Sequence, residues 1–459
     1  MIPIILATFV IGYLAITLEH PLQLDKAVSA LLMATLIWAI ISFGFNEGWL
    51  SIVNSHGEVF NINEGDPAEA AFGFKNNLMH HFSAVSEILF FLIGAMTIVE
   101  IVDLHRGFAI IKKSITTTNK VKLLWTLGTV AFILSAIIDN LTATIILVTL
   151  LRKLVPKRDY RVWFAALIVI AANAGGAWSP IGDVTTTMLW INNKVTAAGL
   201  AEHVVLPAVL CFIVPFLIAS RLKAFKGVTV LKRRNQIDAE SQRLLSSKKM
   251  LYTGLGAILF VPIFKAVTGL PPYVGMLFSL GVVWLVSEYV KPVKNLSRNE
   301  KYLYSTHKAL SNIEFSSILF FLGILLAVAG LESLVYGVVD GERVGTLFYA
   351  ANSLSNSIPS MNTVVMILGG LSSVIDNVPL VAASMAMYDF PMDDKIWHFI
   401  AYSAGTGGSL LIIGSAAGVA AMGMEKIDFM WYLKNIAPLA LFGFLAGAFS
   451  FILTKFLFY

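Results

Sequence analysis

Residues 135–140 read SAIIDN, and residues 372–377 read SSVIDN, 237 positions later (372 − 135). Each stretch ends in an acid followed by an amide, and each acid, Asp139 or Asp376, lies inside a long apolar segment. A charged aspartate at mid-bilayer costs roughly 2.5–3.5 kcal/mol on insertion scales, so an acid at such a position indicates a functional site. A structural role is the alternative, because Asp and Asn are good helix N-caps. Capping and ion binding are compatible with each other.

Other matches follow in the same order and indicate an internal repeat. The hexapeptide SEILFF at 86–91 returns as SSILFF at 316–321, 230 positions later (316 − 86). Gly175-Gly176 and Gly182 return as glycines 232 positions later (407 − 175 and 414 − 182). Chance similarity between apolar segments is the alternative, but three collinear matches within a narrow range of offsets argue against it. The sequence therefore predicts two equivalent halves.

The composition predicts a helical membrane protein. Of the 459 residues, 57% are hydrophobic and 13% are charged, against roughly 45–50% and about 25% in soluble proteins. The single cysteine excludes a disulfide scaffold, and the apolar content excludes intrinsic disorder. We attribute the net charge of +5 to cytoplasmic loops and not to nucleic-acid binding. The expected partner is the lipid bilayer, with no nucleic acid.

Apolar stretches of about 20 residues are long enough for a helix to cross the bilayer. Residues 1–18 lack the charged start and the cleavage site of a secretory signal, so we interpret them as a first span. The predicted crossings are 1–18, 26–43, 84–103, 203–222, 249–264, 272–290, 315–335 and 432–457. Four further apolar stretches are interrupted by Gly, Asp, Asn or Pro: 121–154, 162–199, 360–388 and 395–424.

Loop charges predict the orientation, since Lys and Arg concentrate on the cytoplasmic side of membrane proteins. The linker 223–248 is rich in Lys and Arg, so we place it in the cytoplasm. Basic residues border 121–154 on both sides, which predicts a re-entrant hairpin entered from the cytoplasm. Acidic residues border 360–388, so the second hairpin should enter from outside. Residues 44–83 are acidic and should face outward, and the sequence suggests no role for them.

These features predict an all-α polytopic fold of two inverted repeats, 1–222 and 249–459. Each repeat would contain five crossings, one re-entrant hairpin (121–154 or 360–388) and one broken helix (162–199 or 395–424). Because five is odd, the two repeats have opposite topology and both chain termini lie outside. The polar segments 105–118 and 336–357 are expected to be interfacial helices, with plain loops as the alternative.

Non-helical backbone within a membrane is tolerated only inside protein or beside a water-filled cavity. The hairpin tips and broken helices should therefore meet at a cavity between the repeats, where secondary transporters bind substrate and coupling ions. Oxygen ligands with three acids, Asp139, Asp183 and Asp376, suit a small hard cation such as Na⁺ or Li⁺. An acid that holds either a cation or a proton would couple the two fluxes. No Cys or His cluster indicates a soft metal, and no cofactor is expected.

Further polar residues are candidates for the same site. Asn173, Thr185 and Thr186 belong to the first broken helix, and the second supplies hydroxyls but no carboxylate. A threonine within a helix also bonds to its own backbone, which is the alternative for Thr142. The full set of additional candidates is Asn140, Asn173, Thr185, Thr186 and Asn377, with Thr142, Ser179, Ser372, Ser403, Ser409 and Glu87 as possible members.

The Asp-Asn tips and the run SPIGDVTTTMLW at 179–190 resemble the NhaD-type sodium/proton antiporters. That family belongs to an ion-transporter superfamily with dicarboxylate/sodium symporters and arsenite permeases. The resemblance extends over nearly the whole chain. It implies a non-enzymatic transporter of the bacterial inner membrane, a homodimer, and a transport domain that moves against a scaffold domain as an elevator. Residues matching the family's motifs are Asp139, Asn140, Asn173, Asp183, Thr185, Thr186, Asp376 and Asn377, with Ser372, Ser403 and Ser409.

Two other functions remain open. A sodium-coupled dicarboxylate, arsenite or other anion transporter would have the same fold. Dicarboxylate symporters carry Ser-Asn-Thr at the tip, and the aspartates that replace the serine here argue against an anionic substrate. An intramembrane aspartyl protease would use Gly182-Asp183 and Tyr388-Asp389, but this interpretation leaves Asp389 in an outer loop and ignores the repeats.

Overall fold

The computed structural model describes most of the chain, and several predicted features fall partly outside the described residues, among them segment 336–357 at residue 340 and hairpin 360–388 at residue 375. Residues 110–116 of the expected interfacial segment 105–118 are not described, and neither are residues 230–243 of the linker 223–248. The described residues are 1–109, 117–229, 244–290, 292, 302, 304–339, 341–358, 360–374 and 376–458.

The secondary structure is mostly helical. The first half contains α1 (Ile2–Thr17), α2 (Glu19–Leu22), α3 (Lys26–Asn46), β1 (Ile52–Val53), β2 (Val59–Phe60), α4 (Pro67–Leu104), α5 (Lys120–Ile138), α6 (Asn140–Leu154), α7 (Arg158–Gly176), α8 (Val184–Ile191), α9 (Ala197–Arg221) and a 3₁₀ turn (Lys223–Phe225). The second half contains α10 (Ser247–Thr268), α11 (Pro272–Tyr289), α12 (Thr306–Asn312), α13 (Phe315–Ser333), β3 (Val335–Val339), β4 (Glu342–Gly345), α14 (Thr346–Ser357), α15 (Met361–Leu371), α16 (Asn377–Met387), α17 (Lys395–Gly407), α18 (Ala416–Glu425), α19 (Phe429–Asn435) and α20 (Ala437–Phe458).

Eight of the described helices are long and apolar enough to cross a membrane, as a polytopic protein requires. They include α5, which is 19 residues long and was expected to form only half of a hairpin. The predicted crossing 84–103 is part of the 38-residue helix α4, and 432–457 is divided between α19 and α20 at Ile436. The eight helices are α3, α4, α5, α9, α10, α11, α13 and α20.

Polar side chains explain where several helices begin. Asp25, Asn119 and Thr196 each accept a hydrogen bond from a backbone N–H in the first turn of the next helix, which satisfies a donor that the helix leaves unpaired. At the other end of α10, Gly269 adopts a φ of +71°, a left-handed conformation that glycine reaches without a steric penalty. Pro272 then opens α11, where its missing N–H costs nothing.

Two short β-hairpins correct the prediction of an all-helical chain. β1 pairs with β2 within the predicted outer loop, and β3 pairs with β4, with Val339 opposite Glu342. The expectation of an interfacial helix over 336–357 is therefore wrong for its first half, although α14 covers the rest. The β-branched and aromatic residues of β3 favour a strand, and Gly341, with a φ of +89°, allows the tight turn.

The chain forms two compact units. The first unit consists of Met1–Phe90, Glu314–Val364 and Val378–Pro391, and the second of Phe91–Ile313, Val365–Asn377 and Met392–Tyr459. Each unit takes segments from both predicted repeats, so the units are a different division of the chain from the repeats.

Two helices form the centre of the second unit. Every residue of α7 from Phe164 to Gly176 is buried, and so is every residue of α17 from Ile396 to Gly407. A helix that is apolar or small on all sides is typical of a position surrounded by other helices. Both helices end at glycines, and the chain continues from each through an irregular segment into a second short helix, α8 or α18.

Candidate ion-binding site

Asp183 lies at the start of α8, directly after the irregular segment that interrupts the first broken helix. The residue is 2% exposed. Oδ1 accepts a hydrogen bond from the backbone N–H of Thr185 at 2.9 Å and another from the Thr185 hydroxyl at 2.8 Å. The carboxylate therefore caps the helix, and the adjacent threonine holds it in place.

The asparagines of both predicted hairpin tips donate to this one carboxylate. The first helix pair, α5 and α6, is joined at Asp139, and the second pair consists of α15 and α16, which begins at Asn377. Asn140 Nδ2 lies 2.6 Å from Asp183 Oδ2. Asn377 Nδ2 lies 3.2 Å from each of the two Asp183 oxygens. Two segments that are far apart in sequence thus meet at a single buried acid.

Asn173 connects this acid to the second broken helix. Its Oδ1 accepts from Asn140 Nδ2 at 3.1 Å. Its Nδ2 donates to the hydroxyls of Ser409 and Ser415, at 2.9 Å each. Asn173 is fully buried, and both polar atoms of its amide are satisfied by the second broken helix and the first tip.

Ser415 was not among the candidate residues, although a signal for it exists in the sequence. It lies 232 positions after Asp183 (415 − 183), the same offset that relates Gly182 to Gly414. In the structure Ser415 caps α18 by accepting from Gly418 N, as Asp183 caps α8. The second half thus has a neutral hydroxyl where the first half has a carboxylate.

The two halves also share the contacts that attach each helix pair to its broken helix. Ser135 donates its hydroxyl to the carbonyl of Ala172 at 2.6 Å. Ser372, in the equivalent position of the second pair, donates to the carbonyl of Ala404 at 2.8 Å. Both serines are fully buried, so the two bonds are equivalent in environment as well as in partner.

Glycines permit the close approach at the same places. A Cβ added to Gly175 would collide with the carbonyl of Phe132, and a Cβ added to Gly407 would collide with the carbonyl of Gly369. Backbone atoms cannot yield as a flexible side chain can, so only glycine fits at either position. These contacts bring the irregular ends of both broken helices against the helix pairs.

Asp139 adopts an unusual backbone conformation at the first tip. Its φ is +105°, a region that L-residues other than glycine rarely enter. Its carboxylate caps α6, with Oδ1 accepting from Thr142 N at 2.8 Å and Oδ2 from the Thr142 hydroxyl at 2.7 Å. Asp376 is half-buried. Charge interactions link Asp183 to both Asp139 and Asp376, so the three predicted acids belong to one electrostatic cluster.

The remaining candidates differ in position. The Thr186 hydroxyl donates to the carbonyl of Ser179 at 2.6 Å, which closes the irregular segment. Ser403 is fully buried, and its hydroxyl has no hydrogen-bond partner among the described residues. Glu87 lies on α4 in the first unit, whereas Asp183 belongs to the second.

The chemistry of this cluster is that of a hard-cation site. Its polar groups are carboxylates, amides and hydroxyls, and the hydrogen-bonded set around Asp183 and Asn173 contains no Lys, Arg or His. Oxygen ligands suit hard cations, whereas soft metals prefer thiolate and imidazole. In the part of the chain that the structure describes, no group of three or more His, Cys, Asp and Glu side chains is arranged to hold a metal.

A family profile, known sequences and a solved structure that are similar to this chain are all those of transporters. The family profile described as citrate transporter matches residues 13–397. Sodium/proton antiporter 2 of Arabidopsis thaliana is 40% identical, over 97% of this chain and 97% of the relative, and sodium/proton antiporter 1 of the same plant is 43% identical over 96% and 70%. The Na⁺/H⁺ antiporter NhaD of Vibrio cholerae is 29% identical over 96% and 89%. The crystal structure of the YdaH transporter of Alcanivorax borkumensis covers 95% of this chain and 99% of its own, with a TM-score of 0.55 and 12% identity.

Proposed function

The chain belongs to the citrate transporter family, and we propose that it is a secondary antiporter that exchanges Na⁺ or Li⁺ for H⁺. Relatives that match nearly the whole chain are named sodium/proton antiporters. The protein is a transporter and not an enzyme, which the same relatives and the family support. The exchange requires no cofactor, since both transported species are simple ions.

One observation carries this proposal: the amides of Asn140 and Asn377 converge on the buried carboxylate of Asp183. In this arrangement the amide N–H groups satisfy the acid without a cation. A cation at the same place requires oxygen ligands, which both asparagines can provide by turning Oδ1 in place of Nδ2. The tips then exchange their hydrogen bonds to Asp183 for cation ligands.

Competition for the acids couples the two ions. A buried carboxylate is costly when ionised and unpaired, so it is stabilised by binding either a proton or a cation. Binding of one ion removes the site for the other, and each crossing therefore carries Na⁺ in one direction or H⁺ in the other. We assign the central carboxylate to Asp183, with Asp139 and Asp376 as the acids of the two tips. Thr185, Asn173, Ser409 and Ser415 hold these groups in position.

The proposal includes an architecture of two inverted repeats with re-entrant hairpins and an elevator motion of a transport domain. The equivalent hydroxyl bonds of Ser135 and Ser372, and the equivalent glycine contacts of Gly175 and Gly407, support the repeat. We expect a location in the inner membrane from the family resemblance, and the loop charges support a cytoplasmic linker 223–248 with both termini outside. Thiol labelling of single cysteines in a Cys211→Ser background tests the orientation, and labelling of the linker from outside would contradict it. A homodimer is expected from the family resemblance, and the mass of the protein in detergent tests it.

Anion transport is the competing function, because the family profile is that of a citrate transporter. A carboxylate substrate would meet Asp183 and the two tip acids without a basic side chain in the hydrogen-bonded cluster. The negative charges of the substrate and of these acids would repel each other strongly in a low-dielectric site. The cluster therefore favours a cation as the transported species.

Proteoliposomes with an internal pH-sensitive dye decide between the two functions. We expect Na⁺ or Li⁺ to drive proton movement in the absence of any organic anion, with K⁺ run in parallel as a comparison. Asp139→Asn and Asp376→Asn should abolish the signal while the protein still purifies as the wild type does. Normal exchange by Asp139→Asn would contradict the role of the acids. Proton movement that requires citrate would instead support anion transport.

A further inference from the structure

The short helix α8 is held at both of its ends by side chains. At its start, the Asp183 carboxylate accepts from the backbone N–H of Thr185. At its last turn, the ammonium group of Lys265 donates to the carbonyl oxygen of Trp190 and to Asn193 Oδ1, at 3.0 Å each. Lys265 lies in the last turn of α10, 75 residues further along the chain than Trp190. A contact from another helix thus holds the end of α8 that is opposite to Asp183.

The side chain of Trp190 takes part in the same contact. Lys265 Nζ lies 5.1 Å from the centroid of the Trp190 ring, which is within the range of a cation–π interaction. Trp190 is 2% exposed, and its ring lies edge-on to that of Phe91, with centroids 6.2 Å apart. The ammonium group therefore contacts both the backbone and the ring of a residue that packing already holds in place.

A positive charge suits this end of α8. The last carbonyl groups of a helix lack partners within it and carry the negative end of the helix dipole. The carbonyl of Trp190 is one of them, and it also accepts from Asn193 N at 3.3 Å where the left-handed conformation of Asn193 ends the helix. A lysine near the end of an apolar helix commonly extends toward water, whereas Lys265 directs its charge at this carbonyl.

The helix α8 is short enough to transmit the position of one end to the other. Its eight residues span about 12 Å, and all but the first are buried. The helix α10 packs mainly against α11, so Lys265 connects α8 to a helix outside the two helix pairs and the two broken helices. A displacement of Trp190 would move Asp183 relative to the amides of the two tips.

We propose that Lys265 is a positioning residue for cation binding, which keeps the Asp183 carboxylate aligned with the amides of Asn140 and Asn377 by holding the last turn of α8. This inference rests on the proposed function, because it concerns the same cation site. Ligands that are already ordered bind more tightly than ligands that must first be ordered. Loss of the Lys265 contact should therefore weaken cation binding from the opposite end of the helix.

Binding of radioactive Na⁺ to the full-length protein in nanodiscs tests this role. Lys265→Met keeps the length of the side chain and loses its charge, and we expect it to raise the dissociation constant for Na⁺ about fivefold, at the lower end of couplings between separate sites. Hydrogen exchange of the α8 backbone amides, followed by mass spectrometry, should become about tenfold faster, since a hydrogen bond to a charged group is lost. Lys265→Arg should restore both values, because a guanidinium group also donates to two acceptors.

Lys26→Met is the matched control. Lys26 is half-buried, as Lys265 is, and its Nζ lies 4.4 Å from the centroid of the Phe320 ring in the first unit. Its replacement should leave Na⁺ binding and hydrogen exchange in α8 unchanged. The proposal is overturned if Lys265→Met binds Na⁺ as the wild type does or shows no faster exchange in α8. It is also overturned if Lys265→Arg is as weak as Lys265→Met, or if Lys26→Met weakens binding equally.

These measurements use no proton gradient, so they separate the role of Lys265 from antiport. A wild-type protein that binds Na⁺ without moving protons would contradict the proposed exchange, and the dissociation constants of the variants would still decide the role of Lys265. A wild-type protein that does not bind Na⁺ would contradict both.

Discussion

Asn377 and Asp183 are 194 residues apart in sequence, yet the Asn377 amide nitrogen lies 3.2 Å from both oxygens of the Asp183 carboxylate. Asn140 contacts the same carboxylate from the first tip, at 2.6 Å. A change in the charge of Asp183 therefore alters the hydrogen bonds of both tips together. In the proposed exchange, one protonation or binding event at Asp183 would therefore reach both helix pairs.

Replacement of Asp183 by asparagine tests this relationship. Asparagine keeps the size of the side chain and its capping ability, but it cannot carry the charge that binds a cation. We expect Na⁺-driven proton movement in proteoliposomes to fall about 100-fold or more, since charge-assisted hydrogen bonds contribute about 1.5–3 kcal/mol each. Purification yield and thermal unfolding should remain close to those of the wild type.

Asp428→Asn is the matched control for this variant. Asp428 also caps a helix, α19, by accepting from Trp431 N, but it is exposed at that bond and lies outside the cluster. Activity should be retained because asparagine caps as well as aspartate does. A loss of exchange in Asp428→Asn equal to that in Asp183→Asn would show that the substitution acts through helix capping and not through the acid.

Ser415→Ala tests the contribution of the second half to the site. The substitution removes the cap of α18 and one of the two acceptors of Asn173 Nδ2. We expect a loss of about 1 kcal/mol of stability from the cap, together with a several-fold rise in the KM for Na⁺. The cation dependence of proton movement measures the second effect, and thermal unfolding measures the first.

Ser305→Ala separates the two effects of that substitution. Ser305 caps α12 by accepting from Lys308 N at 3.3 Å, and it makes no contact with the cluster. It should lose stability to a similar extent without any change in the KM for Na⁺. If both serine variants raise the KM equally, the role of Ser415 in the site is contradicted.

Much of the site could be predicted because each acid or amide occurs where an apolar pattern makes it expensive. This reasoning identified Asp139, Asp183 and Asp376, and the repeat supplied Asn377 as the counterpart of Asn140. It missed Ser415, since a serine within an apolar stretch costs little free energy and is therefore not conspicuous in the sequence. The offset of 232 residues from Asp183 could have identified it. The bond from Asn173 to that serine depends on packing between halves, which no local pattern specifies.

The sequence predicts the apolar helices of the fold better than its polar segments. Long apolar stretches indicate helices directly through their hydropathy. The extension of α4 back to Pro67 was missed, since residues 67–83 are polar and were interpreted as part of a loop. The β3–β4 hairpin replaces the first half of the interfacial helix expected over 336–357, because the β-branched and aromatic residues of β3 favour a strand.

The stability of the protein should fall with acid because of His105, which lies beyond the end of α4. Its Nδ1 is 2.8 Å from the Ser246 hydroxyl, and burial lowers the pKa of His105 from 6.5 to about 4. Between pH 6.5 and about 4 the unfolded chain binds a proton that the folded protein does not. The free energy of unfolding therefore decreases as the pH falls through this window, by at most about 3 kcal/mol.

His105→Gln should remove that part of the pH dependence, because glutamine offers Ser246 a polar partner but does not titrate. Thermal midpoints measured between pH 7 and pH 4 should then fall less steeply than those of the wild type. The control is His307→Gln, at an exposed histidine, which should follow the wild-type curve. Identical curves for all three proteins would contradict the assignment to His105.

Among the charged contacts outside the site, the ion pair between Arg161 and Glu425 should contribute most to stability. Arg161 Nε lies 3.0 Å from Glu425 Oε2, and the glutamate side chain is 1% exposed. Arg161→Ala leaves the buried carboxylate with only the more exposed Arg152, whose Nε lies 3.3 Å from Glu425 Oε1. This loss costs about 3–5 kcal/mol. The exposed pair of Arg343 and Glu64 is the control, and Arg343→Ala should cost at most about 1 kcal/mol.

Addition of Glu425→Gln to Arg161→Ala should recover part of the thermal midpoint, since the buried charge is then absent. Equal losses in Arg161→Ala and Arg343→Ala, with no recovery in the double variant, would show that burial of Glu425 does not set the strength of this contact.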